Sequence, residues 1–428
     1  MSRTRSLGPR LDTRWIFGNG VTQERRVLRN GLRVTVVGGG IGGLSTALLL
    51  SRIGAQVTMV ERVPKPGAAG VAIALYPNGL AVLYGLGLRE RLHERAFAVR
   101  RGMYSLNGRV VLDIAFPDFG HGLDHVLALT RSALHQVLYD ATRRSRHIDA
   151  RFGHEVIGMA DGRLHIRGPT GVAYQLRHDL VVGADGVHST VRAAAGFAAR
   201  RVGSPSIALR ALVLGEGFGQ TAIGEHWSRL GIAIAAPLGD GTSYLALGAS
   251  RGPLKTALQC RDLPALRRLA GTMLPGADRA LGAADRDLLI TPVQEVRCAR
   301  WSTDNLVLLG DAAHAMTPHL GQGASSTLLD AAALAAELSR EQPSDLAIAR
   351  YVARRKPAAT RVQNGSRMHA LVSERFTGPG LRQLRDTTIR LAGRLPLPKE
   401  PLLRSILQED PAQTFTSVRH LGPVSEGD

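Results

Sequence analysis

Apolar positions along the chain fall into two regimes. In the first, short continuous apolar runs end on glycine or aspartate and lead into Ala/Leu-rich stretches of helical length. Arg33–Val37 reads as a buried strand, Ile41–Ile53 as a helix and Gln56–Val60 as the next strand, a βαβ unit. Tyr76–Leu86 has a helical pattern, with Pro77 early and Gly87 just beyond it. Arg131–Arg143 is helical, and Leu164–Arg167, Val172–Leu176 and Leu180–Val182 have strand character. In the second regime, Ile207–Leu214, Ala222–Trp227, Gly231–Ala236 and Ser243–Ala249 are short strand candidates separated by Gly-containing turns, the pattern of an antiparallel sheet. Arg261–Gly276 supplies helices, Leu306–Gly310 returns to the first regime, and Thr327–Arg394 is mostly helical.

These patterns predict an α/β chain, α+β overall. A Rossmann-like nucleotide-binding lobe carries an inserted antiparallel-sheet lobe and is followed by C-terminal helices. The expected divisions are 1–30, a mobile basic extension or a mis-assigned start; 31–200, the first part of the nucleotide lobe; 201–290, mainly the sheet lobe; 291–340, the return; 341–395, helices; and 396–428, a tail with little periodicity.

A chain of 428 residues can bury a large core. The formal net charge of +19 raises a nucleic-acid reading. The lysines are only Lys65, Lys255, Lys356 and Lys399, so the excess is arginine, scattered without a binding motif. No nucleic-acid partner is expected. Cys260 and Cys298 form no C-x-x-C pair, which argues against a redox disulfide or a thiolate metal site and fits a reducing cytoplasm. Val34–Leu50 is apolar but glycine-broken, and shorter than the ~20 residues a membrane span needs. Arg25-Arg26 before it could suggest a twin-arginine signal, but cleavage after the apolar run would discard the best nucleotide-binding segment.

Three Gly/Asp turns carry the chemistry. Gly38-x-Gly40-x-x-Gly43 opens a helix after a strand, where backbone N–H groups can meet a pyrophosphate. Glu61, at the end of the second strand, is placed to accept from ribose hydroxyls. Asp185-Gly186 ends a second apolar strand; an Asp there can ligate a sugar or simply cap the next helix. Gly310-Asp311 ends a third, and Gly321 and Gly323 open a helix whose free N–H groups can face an electron-rich ring. His314 and His319 read as polar loop residues. With no H-E-x-x-H helix, no metal site is expected.

The segments GGGIGG, GADGVHSTVR and GDAAHAMTPHLGQGA resemble the three fingerprints of the FAD-dependent group A flavoprotein monooxygenases, the para-hydroxybenzoate hydroxylase type, in particular the salicylate-hydroxylase-like branch. Weaker echoes are Glu61-Arg62, Leu75–Leu80, Leu129–Leu134 and Leu209–Leu212, and the likeness spans Leu32 to Arg390. By position, the resemblance implies that Gly38, Gly40 and Gly43 line the FAD pyrophosphate and Glu61 the adenosine ribose. Arg131 would reach the ribose and phosphate region, Asp185 would support FAD and nicotinamide, Asp311 would hold the ribitol, and the backbone of Gly321, Gln322, Gly323, Ala324 and Ser325 would meet the isoalloxazine. Arg62, Ala72 and Gly186 join the cofactor-binding set. Family members often have a glycine at Ala72, an asparagine at Ser325, an acid at Leu329 and a histidine before Pro237, where this chain has Ile234-Ala235-Ala236. The W-x-W-x-I-P signature of halogenase relatives is missing.

The implied function is an NADPH- or NADH-dependent monooxygenase. It would insert one oxygen atom from dioxygen into an aromatic or other electron-rich small molecule, through a flavin hydroperoxide. Hydroxylation is expected first, and epoxidation or another oxygen insertion second. The rivals are a flavin dehydrogenase or oxidase that needs no NAD(P)H and a basic nucleic-acid-binding protein. No catalytic residue is assigned. Ile232–Pro237 is expected to face the flavin without a titratable side chain. Of the adjacent Glu225 and His226 only one can face the same pocket. His226 is the better base by its ordinary pKa of about 6.5, though a surface histidine is the preferred reading.

Overall fold

In the computed structural model the described residues are 30–65, 67, 71–214, 222–239, 241–283, 288–376, 378–394 and 400–422. The expectation for residues 1–30 falls, except for residue 30, outside them.

The nucleotide lobe is built on a five-stranded sheet in the order 306–308, 180–183, 33–37, 56–61, 148–152, every pair parallel. Its strands are continuous apolar runs because helices cover both faces of such a sheet. Val34, Val36, Val181, Val182, Val307 and Leu308 are essentially inaccessible to solvent. Ile41–Arg52 follows the first strand and packs against Gly323–Leu338. The three motif strands therefore lie side by side and end at the same edge. Three-residue glycine contacts lock this arrangement. A Cβ on Gly42 would stand 2.6 Å from the Thr327 methyl, and one on Gly310 would stand 2.8 Å from the same side chain.

The second lobe is a seven-stranded sheet in the order 289–298, 199–214, 242–249, 232–239, 223–227, 101–106, 109–115. Its neighbours are antiparallel except 223–227 and 101–106. The strand expected at Ile207–Leu214 begins at Ala199, and the hairpin 101–115 carries no strong sequence signal. One face, with Leu209, Ala211, Ala233, Ala235, Leu245 and Leu247, is backed by helices Gly252–Cys260, Leu263–Met273 and Ala277–Ala283. The other face looks toward the nucleotide lobe.

The tail differs from expectation. Glu400–Leu407 and Pro411–Arg419 are helices, and the second packs on helix Pro77–Gly85. A Cβ on Gly85 would stand 2.8 Å from Val418, so the two helices are in direct contact. Among the described residues no helix is long and apolar enough to cross a membrane.

Candidate active site

The first turn forms a cradle. Gly38 has φ +105, and a Cβ on it would stand 2.5 Å from the Ala184 carbonyl oxygen, which ties this turn to Asp185. A Cβ on Gly43 would collide with the Gly38 carbonyl, so only glycine lets helix and strand approach. Gly40 faces open space, with nothing within 4 Å of the same probe atom. Glu61 Oε2 accepts from the Gly39 N–H at 2.6 Å, and Oε1 from the Val63 N–H at 2.8 Å. Arg131 follows Thr130, whose hydroxyl caps the helix by accepting from the Ala133 N–H. A cleft of about 160 Å³ is lined by Gly39, Gly40, Ile41, Glu61, Val63, Lys65, Arg131, His135 and Phe152. Gly38, Gly40, Gly43, Glu61 and Arg131 are thus brought together. Arg62 is exposed beside Glu61, and Ala72 pairs with Thr130 one residue from Arg131. His135, unremarked in the sequence, donates from Nε2 to the Gly39 carbonyl at 2.8 Å and holds the loop from the other side.

At the second turn Asp185 Oδ2 accepts from the N–H groups of Thr190 and Val191, at 2.7 and 3.1 Å. Helix capping therefore uses one carboxylate oxygen. The other, Oδ1, is buried without a protein partner. Gly186 follows with φ +78 and open space around it.

At the third turn Asp311 is exposed at the head of the short helix Asp311–His314. The turn is held from below by Asp330, adjacent to the Leu329 position. Its Oδ2 accepts from the Gly310 N–H at 3.0 Å and meets His314 Nε2 at 2.5 Å, while Oδ1 accepts from Arg355 Nε at 2.8 Å. Burial pushes this carboxyl up, but His314 and Arg355 outweigh it and hold it below its ordinary value. Gln322 sits just before the long helix Gly323–Leu338, and its Oε1 accepts from Asn78 Nδ2 at 3.0 Å. Gln322 Nε2 and Ser325 Oγ are buried without protein partners. Gly321 has φ +63, and a Cβ there would stand 2.9 Å from the Tyr76 ring. Ala324 is half-buried on the first turn.

The donor set fits FAD. An open glycine turn at a helix head suits a pyrophosphate, Glu61 suits a ribose, and the orphaned Asp185 Oδ1 and Gln322 Nε2 are buried polar atoms that a bound polar ligand would satisfy, whereas Ser325 Oγ is packed against Gly79. A larger groove, about 680 Å³, runs among Pro264, Arg267, Gly271, Thr272 and Asp278 on the outer helices of the sheet lobe and contains no motif residue. The first-turn motif residues line the smaller cleft instead.

Three histidine expectations are corrected. His314 and His319 are buried, not polar loop residues, and each meets a carboxylate: Asp330 for the first, Glu374 at 2.8 Å for the second. His226 is neither on the surface nor toward the nucleotide lobe. It is buried on the helix-backed face, with Nδ1 2.5 Å from Ser105 Oγ, and burial lowers its pKa. Strand alternation gives the opposite face to Glu225. The side facing Tyr76 is consequently not free of titratable groups, as the apolar Ile232–Pro237 had suggested.

A family model described as an FAD binding domain matches residues 31–254 and 278–366. The chain is 30% identical to 2-heptyl-3-hydroxy-4(1H)-quinolone synthase of Mycobacteroides abscessus, over 82% of this chain and 93% of the relative. It is 31% identical to 3-amino-4-hydroxybenzoate 2-monooxygenase of Streptomyces cremeus, over 78% and 86%. A crystal structure of a 2-methyl-3-hydroxypyridine-5-carboxylic acid oxygenase variant is similar with a TM-score of 0.69 at 28% identity, over 78% of this chain and 90% of that one. With the three motif turns assembled at one sheet edge and a donor set suited to FAD, the chain belongs to the FAD-dependent group A flavoprotein monooxygenases.

Proposed function

We propose that this enzyme hydroxylates an electron-rich aromatic or N-heteroaromatic ring, using NAD(P)H and dioxygen with FAD bound. The observation that carries the reading is the sheet face opposite Gly321. Tyr104 and Ile234 give it an apolar and aromatic surface, Tyr76 faces it from the head of helix Pro77–Gly85, and Glu225 adds one buried acceptor among them. Relatives named for making a 3-hydroxy-4(1H)-quinolone and for oxygenating 3-amino-4-hydroxybenzoate support a ring substrate carrying O–H or N–H groups.

Gly38, Gly40 and Gly43 would hold the pyrophosphate, Glu61 and Arg131 the adenosine side, Asp185 and Asp311 the central sugar-alcohol chain, and the Gly321–Ser325 backbone the ring system. Bound FAD supplies dioxygen activation after reduction by NAD(P)H. The chain's own residues orient the ring and exclude water. The N-terminus of the 16-residue helix Gly323–Leu338 offers positive dipole to an anionic ring system, worth about 1 kcal/mol. The apolar Ile232, Ile234 and Ala236 favour a second reading, oxygen insertion into a larger polycyclic or alkenyl substrate.

The test is to purify the yellow holoenzyme and screen aromatic candidates for stimulated NAD(P)H oxidation, with isotope-labelled dioxygen and product mass analysis. Substrate consumption without NAD(P)H, or no labelled oxygen in any product, would defeat the reading.

A further inference from the structure

Glu225 lies on strand Ile223–Trp227, in register with Ile234 on one neighbour and Tyr104 on the other. The three side chains share the face that looks toward Tyr76 and the Gly321 turn. The Glu225 side chain is only 10% exposed, and the nearest cation is His369, with Nε2 3.1 Å from Oε1. Trp227 Nε1 donates to the same oxygen at 2.6 Å, and Tyr104 stands in register on the neighbouring strand, where the Glu225 carboxylate and burial hold its hydroxyl well above the ordinary tyrosine value.

Further charged groups surround the pair. Glu374 lies behind His369; its Oε1 accepts from His319 Nε2 at 2.8 Å, and its Oε2 accepts from the Ser206 hydroxyl. Arg385, paired with Asp386 at 2.6 Å, holds its guanidinium 5.5 Å from the Trp227 ring centre. The pair is thus faced by Tyr76, Tyr104, His319, Glu374, Arg385 and Asp386. His369 ends the long helix Ser344–Ala370 and leads into a π-helical turn, Leu371–Arg375, a distortion frequent at functional sites. Nδ1 of His319 and both ring nitrogens of His369 are buried without a hydrogen-bond partner, so His369 meets Glu225 as a close charge contact and not as an aligned hydrogen bond. Among the described residues no three His, Cys, Asp or Glu side chains converge to hold a metal ion. A sheet face needs no buried ion pair for stability, since apolar residues serve as well or better.

We propose that Glu225 is the acid–base group of the site, taking the hydroxyl or ring N–H proton of the aromatic substrate, and that His369 is the positioning residue that holds its carboxylate in place. The inference rests on the reading of the site as an aromatic hydroxylase. The substrate O–H or N–H bond breaks, a Glu225 O–H bond forms, and the electron pair stays on the substrate atom, where it enriches the ring. When the hydroxylated ring regains aromaticity, Glu225 returns its proton to that atom, and the proton from the attacked ring carbon is released to water. Burial lowers the His369 pKa, but Glu225 and Glu374 outweigh it and hold the imidazole above its ordinary value. The imidazole therefore keeps its proton to higher pH than an ordinary histidine.

The test uses holoenzyme with Glu225→Gln, Glu225→Asp and His369→Gln. Glu225→Gln is expected to retain flavin and its reduction by NAD(P)H, and to lose about 100-fold in product formation. Glu225→Asp, which keeps the charge, should restore part of that rate. In His369→Gln kcat should fall with KM little changed and flavin reduction intact, because the Glu225 carboxylate loses the side chain that holds it in place. NMR titration of His369 reads the pair without turnover, and its pKa should fall in Glu225→Gln. An unchanged rate and pH profile in Glu225→Gln would overturn the proposal. So would flavin loss in both Glu225 variants, which would make the carboxylate structural, or a His369 titration indifferent to Glu225→Gln. If wild-type holoenzyme oxidises NAD(P)H with no aromatic compound, it is the hydroxylase reading that fails, while the NMR titration still decides whether the pair exists.

Discussion

The guanidinium of Arg355 and the carboxylate of Asp330 meet at 2.8 Å with neither side chain exposed, and that contact fastens helix Ser344–Ala370 beneath the turn that presents Asp311. Arg355 also pairs with Glu409 at 2.9 Å. Replacing it with methionine leaves two carboxylates short of a cation, and stability should fall by about 3–5 kcal/mol. The Asp330 carboxyl is depressed in the fold, so its contribution is present above the ordinary carboxylate range and is lost as pH falls through its folded pKa. Arg355→Met should therefore move acid unfolding to higher pH. Denaturant unfolding across pH checks both effects; coincident wild-type and variant curves would refute them.

Gly40 and Gly43 sit in one motif but should fail differently. A side chain at Gly43 collides with the Gly38 carbonyl, so Gly43→Ala should impair folding with or without flavin. A side chain at Gly40 meets nothing in the protein. Gly40→Ala should fold with an unchanged Tm as apoprotein and lose FAD affinity, because the methyl occupies space meant for phosphate. Apoprotein melting together with flavin titration separates the two; equal flavin affinity in Gly40→Ala would count against the cradle.

Asp311→Ala should give folded protein with little bound FAD. Asp311 is exposed, so its loss removes a charge-assisted contact to the cofactor at small cost to the apoprotein. Glu61→Ala should weaken FAD binding through two losses, the ribose acceptor and the hydrogen bonds to Gly39 and Val63, while leaving the product profile intact. Flavin-to-protein ratios and product analysis at saturating FAD decide both.

His226→Ala should leave the pH profile of turnover where it is, since the side chain is sealed on the helix-backed face. Removing its partnership with Ser105 should instead cost about 1–2 kcal/mol of stability. A large fall in oxygenation with flavin reduction intact would return His226 to the active site.

Ending the chain before residue 400 should lower both Tm and flavin content. Asn78, which donates to Gln322, also donates to the Leu407 carbonyl at 2.6 Å, and Arg52 and Gly85 pack on Val418. Unchanged melting and flavin loading in the shortened protein would show these helices to be accessory.

Much of the nucleotide lobe was legible because its signals are local. Gly38 to Glu61 reads as strand, turn, helix and strand, since the apolar runs and the glycine spacing are both set within a few residues, as where Gly43 must clear the Gly38 carbonyl. What escaped reading is what depends on partners far along the chain. The hairpin at 101–115 is short, with exposed residues such as Arg109 and Val110, and becomes a sheet edge only by pairing Gly102 with Ile223. His319 looks like a loop polar and Glu374 like one more polar residue of a helical stretch until the fold brings them together from 55 positions apart. The short tail helices have an apolar side only in the presence of Leu83 and Tyr84, which share their core. Glu225 and His226 could not be assigned to faces from sequence, because alternation fixes their opposition and only tertiary packing decides which side is which.

The order of the seven-stranded sheet has a consequence for synthesis. Strand 101–106 waits for 223–227, and strand 199–214 waits for 289–298, while in the other lobe 180–183 waits for 306–308. Neither lobe can close on the ribosome until about three-quarters of the chain has emerged, so both should form late and nearly together. Until then apolar strands such as Ile232–Gly239 hang exposed. The yield of active protein in a cell should therefore be governed by translation speed and chaperone supply as much as by the stability of the finished molecule.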